Sequence, residues 1–163
     1  MKIRTPAHLT AFALLACLSN APAAYAATAT TTFTVTANVP NTCSISTTSN
    51  LAFGSYADAQ IDAASAISVT CTSGGAYTVG LDNGNNYSAP NRRMTNGSAF
   101  LNYELYKETG RTNRWGSSGG ELVSGVGTGS AQALDVFGRL PASQGLIAGS
   151  YTDTITATIT YTP

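Results

Sequence analysis

The sequence predicts an all-β sandwich, and three observations carry that prediction. Apolar residues recur with a period of two in several short runs. Gly, Asn, Pro and Ser clusters separate the runs at turn-like intervals. No segment shows helical periodicity. The clearest runs lie near the two ends of the chain. Residues 30–39, T-T-T-F-T-V-T-A-N-V, set Phe33, Val35, Ala37 and Val39 on one face and Thr32, Thr34, Thr36 and Asn38 on the other. Residues 151–161 do the same with Tyr151, Ile155, Ala157, Ile159 and Tyr161, and only Asp153 breaks that apolar face.

The first 26 residues read as a secretory signal peptide. Lys2 and Arg4 form a basic start, residues 9–18 a short apolar run, and Ala24-Tyr25-Ala26 a small-x-small cleavage pattern. The run is too short to span a bilayer as a helix. Cleavage before Ala27 removes Cys17, the lone histidine His8, and two of the eight basic residues, leaving six against eight acidic ones. That balance gives no basic stripe for nucleic acid. Cys43 and Cys71 remain, and in an exported chain they are expected to pair, closing a loop of about 29 residues worth roughly 3–4 kcal/mol.

Taken in order, the spare strand of residues 30–39 leads into the turn Pro40-Asn41-Thr42. The first domain strand runs from Cys43-Ser44-Ile45 and continues through Leu51-Ala52-Phe53. Residues 57–64 read as a loop, and residues 66–72 as a strand with Ile67, Val69 and Cys71 inward. Residues 76–81 follow, with Tyr77, Val79 and Leu81 on one face, and then the turn Asp82-Asn83-Gly84-Asn85-Asn86. Residues 90–97 read as a loop carrying Arg92-Arg93-Met94. Residues 100–106 alternate Leu101, Tyr103 and Leu105 against Phe100, Asn102, Glu104 and Tyr106. A long Gly/Ser/Thr/Arg segment with Trp115 in its middle contains a strand fragment at Glu121-Leu122-Val123. Residues 131–140 put Leu134, Val136 and Gly138 on one face. Six main strands after the opening segment are one fewer than a seven-stranded immunoglobulin-like sandwich needs. The expectation is an incomplete sandwich lacking its last strand, with an exposed strand edge that templates pairing.

Catalytic inventory is poor. Without histidine after cleavage, Ser-His-Asp and Cys-His mechanisms have no base. Lys107 sits among charged neighbours, and nothing in the sequence brings Asp82 and Glu104 together as a carboxylate pair. Gly125-Val126-Gly127-Thr128-Gly129 lacks the strand-before, helix-after setting of a phosphate loop. Residues 82–86 offer calcium-friendly oxygens, but Arg93 stands where the twelfth-position glutamate belongs. No enzyme, cofactor or metal is expected. Arg92, Arg93 and Trp115 are the residues most open to a surface role in binding a glycan or partner, against the plainer reading of an ion-paired Arg and a Trp capping the sandwich.

Motifs in a fixed order then carry a resemblance. Cys43-Ser44-Ile45, Leu51-Ala52-Phe53-Gly54-Ser55-Tyr56, Val69-Thr70-Cys71-Thr72, Tyr77-Thr78-Val79-Gly80-Leu81, Arg92-Arg93-Met94, Leu101-Asn102-Tyr103-Glu104-Leu105-Tyr106, Trp115-Gly116, Val136-Phe137-Gly138-Arg139-Leu140-Pro141 and Ala148-Gly149-Ser150-Tyr151-Thr152-Asp153-Thr154 follow one another. This set resembles the spore coat protein U domain family, which is similar to the pilin subunits of archaic chaperone–usher pili. The resemblance implies a periplasmic chaperone and an outer-membrane usher as partners, other pilin subunits as neighbours, and export to the periplasm and then the cell surface or a pilus. It further implies a role in adhesion and biofilm formation. In that frame residues 1–26 are the signal peptide, residues 27–39 the donor strand with Phe33, Val35, Ala37 and Val39, and residues 40–163 the sandwich domain. The expected acceptor groove is lined by Ile45, Leu51, Phe53, Ile155, Ala157, Ile159 and Tyr161. Its occupant is expected to be a second copy's donor strand, with insertion into its own domain as the alternative. A glycan-binding adhesive module at the cell surface is the second functional reading, and a secreted enzyme, disfavoured by the residue inventory, the third.

Overall fold

The computed structural model describes residues 24–145 and 147–163. The chain divides into two units, Met1–Ala37 and Asn38–Pro163. The expected signal peptide falls almost wholly on residues 1–23, which lie outside the described residues. In the first unit, residues 24–37 form no helix or ladder and are exposed throughout. Among the described residues no helix is long and apolar enough to cross a membrane.

The second unit is a sandwich of two antiparallel sheets. Its strands are β1 (Cys43–Thr47), β2 (Ile61–Cys71), β3 (Ala76–Leu81), β4 (Arg92–Thr95), β5 (Phe100–Tyr106), β6 (Val123–Val126), β7 (Gln132–Leu140) and β8 (Ala157–Tyr161). One sheet orders them β1-β2-β7-β5-β4 and the other β6-β3-β8. The inward positions are those the alternation selects. Ile67, Val69 and Cys71 of β2, Tyr77, Val79 and Leu81 of β3, and Leu101, Tyr103 and Leu105 of β5 are all buried in one core. Burying one such side chain contributes about 1.5–3 kcal/mol, which fixes the register of each strand, since a one-residue slip would expose the whole set.

Two segments expected as loops are strands. β2 starts at Ile61, where Ala63, Ala64 and Ser65 have weak strand propensity. The ladder to β7 overrides that, with Asp62 opposite Arg139 and joined to it by two hydrogen bonds of 2.8 and 2.9 Å. β4 begins at Arg92 and forms a hairpin with β5. Its turn is closed by Asn96 Oδ1, which accepts from the backbone N–H groups of Ser98 and Ala99 at 2.9 and 2.8 Å. Two expected strands are shortened. The first stops at Thr47, and Leu51-Ala52-Phe53 has no ladder partner. The last is laddered only from Ala157, where it pairs with β3. Within the long loop, Gly119–Glu121 is a turn of 3-10 helix, and the strand fragment expected at residues 121–123 lies at Val123–Val126.

Candidate functional site

The two shortened strands border the same feature. A cleft of about 1210 Å3 opens into the core between residues 47–56 on one wall and residues 147–157 on the other. Leu51, Phe53, Ile155 and Ala157 line its walls, and Leu101, Tyr103, Leu105, Val136 and Leu140 form its floor. Phe53 leans over the floor with its ring centroid 6.3 Å from that of Tyr103. Gly138 makes room for this wall. A Cβ there would lie 2.8 Å from the Phe53 ring and 3.0 Å from Leu51.

The walls are unpaired backbone. Residues 50–57 make no main-chain hydrogen bond to another described residue, and neither do residues 153–155. Buried or half-buried N–H and C=O groups are almost always paired in folded proteins. Here two facing edges leave them free above an apolar floor. Main-chain ties flank residues 153–155 on either side. Thr152 exchanges two 3.0 Å backbone bonds with Thr95. Thr156 donates its N–H to Asp82 Oδ1 and its carbonyl accepts from the Asp82 N–H, both at 3.0 Å.

At the other end the cleft is shut. β1 and β8 converge there, and Asn41 Nδ2 reaches the carbonyls of Ala76 and Thr162 at 3.2 Å each. Three residues expected to line the groove lie at this convergence and not in the cleft. Ile45 sits opposite Val69, while Ile159 and Tyr161 sit opposite Val79 and Tyr77. All three pack against the core outside the cleft. Cys43 and Cys71, directly opposed in the β1–β2 ladder, form the disulfide beside this closed end.

One of the residues lining the cleft is charged, and the alternation alone did not assign it a task. Asp153 stands on the second wall, and its Oδ2 accepts from the Tyr103 hydroxyl at 2.7 Å. Burial, helped by this neighbouring carboxylate, pushes the Tyr103 phenol well above its ordinary value, so it remains a donor at any working pH. The sequence signal was the one charged side chain on an otherwise apolar strand face.

The residues singled out for surface binding are placed differently. Arg92 and Trp115 are both wholly buried, which corrects their reading as surface residues. The Arg92 guanidinium donates to the carbonyls of Asp82 at 2.6 Å, Trp115 at 2.8 Å and Leu81 at 3.2 Å, and pairs with Glu104. Glu104 also holds Arg114 at 2.8 Å, and Arg114 holds Glu121 at 2.8 Å. The Trp115 indole N–H donates to the Val79 carbonyl at 3.0 Å. Arg93 is half-buried, with its guanidinium 4.1 Å from the centroid of the Phe100 ring. Phe33, Val35 and Val39 are 84%, 81% and 78% exposed, and Ala37 is exposed beside them.

Three comparisons bear on what such a chain is. The profile of the Spore Coat Protein U domain matches residues 29–158. Protein U of Myxococcus xanthus is 34% identical over 174 aligned positions, covering 95% of this chain and 96% of that protein. Among solved structures, a chain of the CsuC-CsuE chaperone-tip adhesion subunit pre-assembly complex, from the archaic chaperone-usher Csu pili of Acinetobacter baumannii, superposes with a TM-score of 0.57 at 27% identity. That match covers 74% of this chain, which spans 40% of the length of the solved one. The sandwich is thus of the immunoglobulin-like kind found in chaperone-usher pilus subunits. The chain belongs to the Spore Coat Protein U domain family.

Proposed function

We propose that this protein is a structural subunit of a surface pilus or coat, polymerised by strand donation between copies. The observation that carries the reading is the cleft: two walls of unpaired backbone above an apolar floor, built to accept one more strand. An added strand gains affinity from main-chain bonds to both walls and specificity from alternate side chains entering the floor. Residues 27–39 supply a suitable donor, because Phe33, Val35, Ala37 and Val39 share one face and are exposed. Burying the larger ones contributes about 1.5–3 kcal/mol each before the cost of ordering the strand.

In this reading residues 1–26 direct export, residues 27–39 serve the next subunit, and residues 40–163 form the accepting domain. A periplasmic chaperone covers the cleft until an outer-membrane usher exchanges it for a donor strand, and the fibre supports adhesion and biofilm formation at the cell surface. The likeness to a subunit from a chaperone-usher pilus supports the chaperone step. Burial of Arg92 and Trp115 removes two of the three side chains on which a glycan-binding surface would have rested.

The test is the polymer itself. Fibres from cells expressing the wild-type chain should resist SDS without boiling and run as a ladder. Phe33→Asp with Val35→Asp should abolish the ladder while leaving a folded, disulfide-bonded monomer. A ladder of wild-type intensity from that variant would overturn the donor assignment.

A further inference from the structure

We infer that Asp153 is a positioning residue that holds the second wall of the cleft open before a strand arrives. The inference rests on the reading of the cleft as a strand acceptor. It starts from what the alternation demands. Residue 153 falls on the same face as Tyr151, Ile155 and Ala157, which turn toward the core. Between the ties at Thr152 and Thr156 the wall has no main-chain bond to another described residue. An apolar side chain at residue 153 would gain by dropping onto the floor, and the wall would follow it into the cleft.

A carboxylate resists that collapse, because burying it unpaired is costly. Asp153 is instead held at three points. Oδ2 takes the hydroxyl of Tyr103 from the floor at 2.7 Å. Oδ1 takes the Asn85 N–H at 3.0 Å and the Asn86 side-chain amide at 3.1 Å. The turn that reads as a plain connection in the sequence is therefore a socket. Gly84 completes it, since a Cβ at that position would lie 2.1 Å from Asp153 Oδ2, and its φ of 78° suits glycine. The three donors come from a strand of one sheet and a turn following a strand of the other. The wall is thereby referenced to both layers of the sandwich.

The test uses the refolded monomeric full chain and a synthetic peptide of residues 28–40 as the strand. Amide exchange of Thr152 and Thr156, whose N–H groups donate to the Thr95 carbonyl and to Asp82 Oδ1, reads the wall, and association and dissociation rates of the peptide read the cleft. Asp153→Ala removes three hydrogen bonds to the carboxylate and should speed wall exchange and slow association, each by at least about tenfold, the size expected for losing even one of them. Dissociation should change little, because a bound strand itself holds the wall. Asp153→Asn keeps an oxygen acceptor for Tyr103 and should recover most of the association rate. Tyr103→Phe, which removes one bond and keeps the ring, provides the same comparison if the alanine variant folds poorly. Wild-type association in Asp153→Ala, or equal loss in the alanine and asparagine variants, would overturn the inference. If the wild-type chain captures no peptide, the acceptor reading fails and takes this role with it. The exchange contrast between the wild-type and alanine chains separates that result from a wall that Asp153 never held.

Discussion

Around Arg92 a charge with no solvent contact finds three carbonyls and a carboxylate, and Glu104, Arg114 and Glu121 extend the chain of pairs toward the surface. Along the cleft, a few residues away, an apolar floor lies open and two lengths of backbone have no main-chain partner among the described residues. The same core supplies both regions. Asp82 lends its carbonyl to Arg92 and its side chain to Thr156 of the wall. The contrast separates the part of the fold that is complete in itself from the part that, in the proposed function, another strand would complete. A buried network tolerates no missing member, because an abandoned charge has no water to turn to. An open edge tolerates its vacancy because solvent serves the backbone until a strand replaces it.

The largest effect expected from breaking that contrast is at Arg92. Arg92→Met leaves three carbonyls without their donor and Glu104 with Arg114 alone. The cost should be about 3–5 kcal/mol, the range for removing one partner of a buried pair. Arg92→Lys keeps the charge but cannot match the planar fork, and should recover only part of the loss. Urea unfolding midpoints measure both. A loss below about 1 kcal/mol in the methionine variant would mean the network does not organise that region.

This division also explains how much was legible in the sequence. Strict alternation placed Ile67, Val69 and Cys71 correctly inside, because a period of two is a local property that burial merely reads out, whereas over residues 100–106 it grouped Leu101, Tyr103 and Leu105 on one face without deciding between two faces that both carry aromatics. The strand beginning at Arg92 read as a loop, since two adjacent arginines look solvated. What buries Arg92 comes from Leu81, Asp82, Glu104 and Trp115, which no local window contains together. The reverse error occurs at residues 151–161. The strand pattern there is plain, but a ladder needs a neighbour, and a continuous ladder is present only from Ala157 onward, with a single bridge between Thr152 and Thr95 before it. Leu51, Phe53, Ile155 and Ala157 could be assigned to the cleft from which faces point inward. Ile45, Ile159 and Tyr161 could not be set apart from them, because the convergence of β1 and β8 is a property of the two sheets together.

The disulfide gives the next largest effect and sharpens the comparison at the closed end of the cleft. Cys43 and Cys71 face each other across β1 and β2 and lie 28 positions apart in sequence. Replacing both with alanine should cost about 3 kcal/mol, chiefly by freeing the unfolded chain. If the staple also keeps β1 against its neighbour, amide exchange should rise first in Cys43–Thr47, ahead of the strands around Arg92. Uniform acceleration across both sheets would show that the bond acts only through the unfolded state.

The smallest effect lies in the loop after β5, outside both regions, and is a control on them. Glu108 Oε1 accepts the backbone N–H groups of Thr112 and Asn113 and the Thr112 hydroxyl, each at 2.8 Å. The Asn113 and Thr112 N–H groups hold its carboxyl down to about 2, against 4.5 for the free group. A depressed carboxyl stabilises the fold fully above its unfolded value and loses that contribution as the pH falls through its folded value. Glu108→Gln should therefore unfold at slightly lower urea than wild type at pH 7. The gap should narrow below pH 4.5 and close near pH 2. Because the loop touches neither the Arg92 network nor the cleft walls through this carboxylate, peptide capture at pH 7 should be unchanged. A gap that persists at pH 2 would assign the effect to lost packing in the loop rather than to the charge.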